Sequence, residues 1–147
     1  MIIINSLYAF IATFGFCILF NIRGKNLFYT SLGGGVTWFF YLLADHFSSS
    51  NIFALFIASI VAGIYSEIMA RVLKSPVTTF SICAIIPLVP GGGMYNTMLQ
   101  LIQGNVNNSL TTGLATLSSA GAIAVGILLA SSFTKLMLFF TKQKKVI

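Results

Sequence analysis

Acid is almost absent from this chain. Asp45 and Glu67 are its two carboxylates and His46 its one histidine, in 147 residues. General acid–base catalysis needs such groups positioned around a reacting centre. Here Asp45 and His46 are neighbours in a polar loop with no nucleophile beside them. A zinc or similar centre needs three or four His, Cys or acidic ligands at defined spacings, and no such spacing occurs. Cys17 and Cys83 are the two cysteines. Each lies inside an apolar run and reads as a buried small hydrophobe, not as part of a disulfide framework or metal site. Gly91-Gly92-Gly93 lacks the Lys-Ser/Thr that a phosphate-binding loop requires, which excludes ATP-driven work by this chain alone. An enzyme is therefore not expected, nor a metal, nor any cofactor.

Charge of either sign is scarce. Charged residues make up 7% of the chain, against about 25% in a soluble domain. Hydrophobic residues make up 57%, and the mean hydropathy is +0.97. Such a chain cannot coat itself with water, so the lipid bilayer is its expected surrounding. The net charge of +6 does not mark a nucleic-acid surface. The basic residues fall between apolar runs, as they do in cytoplasmic loops, and no nucleic-acid partner is expected.

The apolar runs predict one all-α transmembrane domain over residues 1–147, with five spans at about 2–20, 27–44, 52–70, 77–103 and 110–140. The first has no basic leader and no small-x-small site before Arg23, so it reads as a retained span and not a signal peptide. Gly104-Asn105-Val106-Asn107-Asn108 reads as a loop. The fifth run exceeds what a bilayer needs, so it is tilted or extends beyond it. Arg23 and Lys25, Arg71 and Lys74, and Lys142, Lys144 and Lys145 lie at every second boundary. The loops around Asp45 and Asn107 carry no Lys or Arg. With five crossings the N-terminus lies outside and the C-terminus in the cytoplasm. A fourth segment that dipped in and returned would put the lysine tail outside, so one broken crossing is favoured.

Small residues recur every four positions at Ala58, Ala62, Ser66 and Ala70, and at Ser118, Ala122, Gly126 and Ala130, which predicts close helix packing. Gly33-Gly34-Gly35 fits a kink, a close helix contact or a frayed helix start. Glu67 and Arg71 are spaced i, i+4 and can pair. They read either as an interfacial pair whose Arg snorkels, or as a secondary electrostatic element of a transport path.

The segment Pro87-Leu88-Val89-Pro90-Gly91-Gly92-Gly93 interrupts the fourth run. Pro87 cannot donate to the Cys83 carbonyl, nor Pro90 to that of Ile86. Two free acceptors are thus expected at the end of the first half-helix, with a second half-helix starting near Met94. That start leaves unpaired N–H groups with partial positive charge, which suit a carboxylate. From Val77 to Pro90 is about 20 Å at 1.5 Å per residue, inside a hydrocarbon core of about 30 Å. Backbone broken at such depth persists only where protein or a watery cavity covers it, and in transporters substrates bind there. Pro87, Pro90, Gly91, Gly92, Gly93, Tyr95 and Asn96 are therefore the candidate substrate-binding or gating residues.

Lys74-Ser75-Pro76-Val77-Thr78-Thr79-Phe80, followed by Ile85 to Tyr95, resembles the threonine/serine exporter family, and more closely the small membrane subunit of its split, two-chain form. The resemblance implies a transporter fold that needs a larger membrane subunit as partner, located in the bacterial cytoplasmic (inner) membrane. It also implies a small-molecule substrate: threonine, serine or a dicarboxylate such as succinate. Two five-span halves would have opposite orientations, an inverted-repeat design. A non-transporting accessory subunit and a homo-oligomeric channel are the competing readings.

Overall fold

The computed structural model describes residues 1–48 and 50–143, with side chains through Leu136. Lys144 and Lys145 and the side chain of Lys142 lie outside the described residues. Every described element is helical: α1 (Ile2–Leu19), α2 (Lys25–Phe47), α3 (Asn51–Val72), α4 (Val77–Ile85), a 3-10 turn (Ile86–Leu88), α5 (Gly91–Ile102) and α6 (Val106–Gln143). α1, α2, α3 and α6 are each long and apolar enough to cross a bilayer. The α4 and α5 halves, bent by 55° at the break, make a fifth crossing when taken together.

Small residues decide how these helices meet. Gly33 packs on Tyr65 of α3 and Ala84 of α4, Gly34 on Thr13 of α1, and Gly35 on Phe10 of α1. The triple glycine is thus a close helix contact within α2, not a kink or a frayed end. α2 becomes central, touching α1, α3 and α4. Gly63 meets Ala130 and Ile127, while Gly126 meets Ser59 and Phe56. Both contacts advance in the same direction, so α3 and α6 run parallel. An intervening crossing, not a returning hairpin, gives that direction.

All four members of the α3 series are buried, as are Gly126 and Ala130, but Ser118 is exposed and Ser119 is buried in its place. A four-residue repeat turns about 40° per step around a helix of 3.6 residues per turn. α3 absorbs that drift because it has neighbours on several sides. α6 meets α3 along one side, with α5 against its first turns alone.

Polar bonds tie the ends of the bundle. Asn26 Nδ2 donates to Ser75 Oγ at 2.8 Å, which joins the Arg23–Lys25 turn to the Arg71–Lys74 turn. At the opposite end Tyr41 donates to Asn51 Oδ1 at 2.9 Å. The loop expected over 104–108 is shorter than that: α6 begins at Val106, and Gly104, at φ +79°, turns the chain in a conformation that glycine adopts without strain. α6 is about 57 Å long at 1.5 Å per residue. Its first three turns pair with α5 and run past the start of α3.

Candidate functional site at the broken fourth span

The fourth span breaks where its prolines predict, but not as they predict. Ile86 N–H bonds the Cys83 carbonyl, and Val89 N–H bonds the Ile86 carbonyl at 3.2 Å. Both acceptors expected to be free are therefore taken up by tightening of the helix end into a 3-10 turn. Gly91 N–H bonds Val89 O at 2.8 Å, and Met94 N–H bonds Pro90 O at 3.1 Å. The second half-helix thus starts at Gly91, three residues before the expected Met94, and the glycines form its first turn. No side chain caps that start, so the N–H groups of Gly92 and Gly93 have no helix carbonyl to bond.

Each glycine of that turn has a different surrounding. Gly91 and Gly92 open onto free space, whereas Gly93 lies against Thr116 of α6 with no room for a side chain. Leu88 is buried with Leu55, Ala58 and Ile123, with Trp38 and Tyr41 packed beside them. The break is therefore seated one to two turns below the start of α3. Pro87 is half-buried and lines a cleft of about 370 Å³ together with Asn5, Tyr8, Ala9 and Ala12 of α1 and Trp38 of α2. That volume lies in the range of small-molecule sites. An amide, a phenol and an indole N–H offer donors and acceptors without a net charge.

Of the sequence-predicted residues, only Pro87 reaches this cleft. Pro90 caps α5. Tyr95 and Asn96 are exposed on the outer face of α5, while Thr97 faces α6, where its carbonyl accepts a bond from Ser109 Oγ at 2.8 Å. Glu67 and Arg71 pair at 3.0 Å, with Glu67 largely buried and Arg71 reaching outward. Sequence reasoning passed over Asn5, Tyr8 and Trp38. A signal was available: Asn5 is the lone amide of the first span, and 5, 8, 9 and 12 share one helix face.

The family model described as "Threonine/Serine exporter, ThrE" matches residues 5–133. The chain belongs to the threonine/serine exporter family. That family is one of transporters, not enzymes, and its membership agrees with the multi-pass helical bundle. An uncharacterized protein of Haemophilus influenzae is 31% identical over 100 residues, which are 67% of this chain and 33% of the relative. The chain thus spans about one third of the length of that relative. No solved structure matches it.

Proposed function

We propose that this chain is the membrane subunit of a secondary exporter for small carboxylate-bearing metabolites, with threonine, serine or a dicarboxylate such as succinate as the candidates. It sits in the bacterial cytoplasmic membrane with its N-terminus outside and C-terminus inside, and works with a larger partner subunit. The observation that carries the reading is the uncapped start of α5 at Gly91, just beyond Pro87, which lines an open cleft. A carboxylate moving through this region exchanges water for the uncapped N–H groups at a positive helix end. Asn5, Tyr8 and the Trp38 indole supply the remaining hydrogen bonds. Glu67 and Arg71, roughly 15–20 Å further along α3 toward the basic end at about 1.5 Å per residue, form a secondary electrostatic element. In the Haemophilus relative the matched segment is accompanied by twice its own length of further chain, which supports a functional unit larger than these helices.

The test is efflux of preloaded threonine or succinate from cells that make the chain and its partner, comparing wild type with Gly92→Leu. Gly92 has free space around it, so leucine leaves the packing intact while covering the start of α5. Efflux is expected to fall roughly tenfold, the worth of about one hydrogen bond to a charged group, with assembly unchanged. Normal efflux with normal assembly favours the accessory-subunit reading instead.

A further inference from the structure

Hydroxyls in these helices have a common habit. Ser6, Thr13, Ser31, Ser66, Thr97 and Thr116 each donate to the carbonyl four residues earlier. Thr30 and Thr37 do not. Both are wholly buried, and their hydroxyls have no partner. A buried hydroxyl without a partner is costly and calls for an explanation.

Their position supplies one. Thr30, Gly33, Gly34 and Thr37 stand at i, i+3, i+4 and i+7 on one face of α2. Through Gly33 that face meets Tyr65 of α3 and Ala84 of α4, and through Gly34 it meets Thr13 of α1. At one end of this three-helix seam lies the Pro87 cleft. At the other end, beside the basic turns, lies a second cleft of about 240 Å³ lined by Phe20, Ile22, Thr78, Thr79, Ile82 and Cys83. Between the two, α1 contributes its only buried residues, Thr13 and Cys17, and α4 contributes the buried Ala84, with Cys83 at the edge of the second cleft. The closed layer is thin. It runs from Ala12 to Phe20 on α1, about 12 Å, and from Cys83 to Pro87 on α4, about 6 Å, at 1.5 Å per residue.

We infer that the solute crosses this chain along the α1–α2–α4 seam, from the Thr78–Thr79 cleft to the Pro87 cleft, with the Thr30 and Thr37 hydroxyls as successive polar stations along it. The inference rests on the exporter reading and names its path. The two hydroxyls are two helical turns apart, about 10 Å, so a small solute meets them in turn and not together. The seam must part for passage, and α1 and α4 each bury one cysteine beside it, Cys17 and Cys83. Both are free and buried.

Thr30→Val and Thr37→Val test this in the full exporter in cells, since valine keeps the shape and removes the hydroxyl. Efflux of threonine or succinate is expected to fall roughly tenfold for each, with assembly and thermal stability unchanged or improved. Two valine variants that transport like wild type overturn the inference. An independent measurement oxidises the native thiols with copper–phenanthroline, which takes two protons and two electrons to form one Cys17–Cys83 disulfide. Efflux is expected to stop and to return with dithiothreitol, and the Cys17→Ser, Cys83→Ser double variant is expected to ignore the oxidant. Undiminished efflux from the locked protein overturns the inference too. If wild-type cells export no more than cells lacking the chain, the exporter reading itself fails. Normal wild-type export alongside indifferent variants removes the seam alone.

Discussion

α4 and α5 are two halves of one broken span, nine and twelve residues long, yet they are held in opposite ways. α4 touches α1, α2 and α3 and buries Phe80, Cys83 and Ala84 almost completely. α5 rests on α6 and buries no residue at all. Its inner face is polar or small: Gly93, Thr97 and Gln100 meet Thr116, Gly113, Ser109 and Thr112. Its outer face shows Met94, Tyr95, Met98, Leu101 and Ile102, each about half exposed or more. Polar inside and apolar outside is the arrangement of a helix pair meant for lipid or another apolar surface, not for water. The break thus separates an anchored half from a half whose stability comes mostly from what surrounds the chain. A gate needs that kind of asymmetry, because elements that move are drawn from the weakly held parts of a fold.

Truncation on the two halves should show the contrast most strongly. Phe80 is wholly enclosed, and Phe80→Ala leaves a cavity there. In a bilayer the transfer part of the penalty is small, because lipid is as apolar as the protein interior. The expected loss is therefore about 2–3 kcal/mol, under the roughly 3–5 kcal/mol of a water-soluble core. Met98→Ala, on the exposed face of α5, is expected to cost under about 0.5 kcal/mol. Thermal unfolding of both variants in the same detergent compares them. Equal losses would mean that α5 is as firmly packed as α4.

A smaller effect separates neighbouring glycines within α5. Gly93→Val drives a side chain into Thr116 and is expected to cost about 1–3 kcal/mol through overpacking. Gly92→Ala meets free space and gains helix propensity, so it should be neutral or stabilising by up to about 1 kcal/mol. If the order of the two reverses in a melting series, the α5–α6 contact is not the one described.

These contrasts also mark how far the residues could be read in order along the chain. Pro87 and Pro90 break the span because a missing N–H is a local property, visible in any context. The basic turns at 23–25 and 71–74 lie together at one end because alternation of charge along a chain of crossings is a counting matter. The small-residue series on α3 reached the interface for a similar reason. Other features depend on which helices become neighbours. Gly91 to Gly93 were read as part of the break, but they are helical because Pro90 and Val89 supply carbonyls that restart the hydrogen-bond pattern. The Cys83 and Ile86 carbonyls find nearer donors once the helix end tightens. Tyr95 and Asn96 follow the break closely in sequence, yet the 55° bend and the pull of Thr97 toward α6 turn them outward. Asn5 and Trp38 lie far from Pro87 in sequence and meet it only through packing of α1 and α2. Orphan hydroxyls such as those of Thr30 and Thr37 are invisible until their neighbours are known.

The smallest of the effects concerns a hydroxyl bridge from α6 to the α5 backbone. Ser109 Oγ donates to the Thr97 carbonyl at 2.8 Å and is nearly buried, whereas Ser118 Oγ, exposed, donates within its own helix to Leu114 O at 2.9 Å. Removing the Ser109 hydroxyl does not leave an unsatisfied group behind. The Thr97 carbonyl still accepts the helical N–H one turn on, and alanine brings no polar atom of its own. The loss is therefore the net value of one hydrogen bond without a desolvation penalty, at the low end of about 0.5–1.5 kcal/mol. Ser118→Ala should change nothing or stabilise slightly, since back-bonded serines add little to a helix. Hydrogen exchange resolves so small a difference better than melting does. In Ser109→Ala the α5 amides are expected to exchange roughly twofold faster while those of α4 stay as they were, and acceleration spreading equally into α4 would show the two halves opening as one unit.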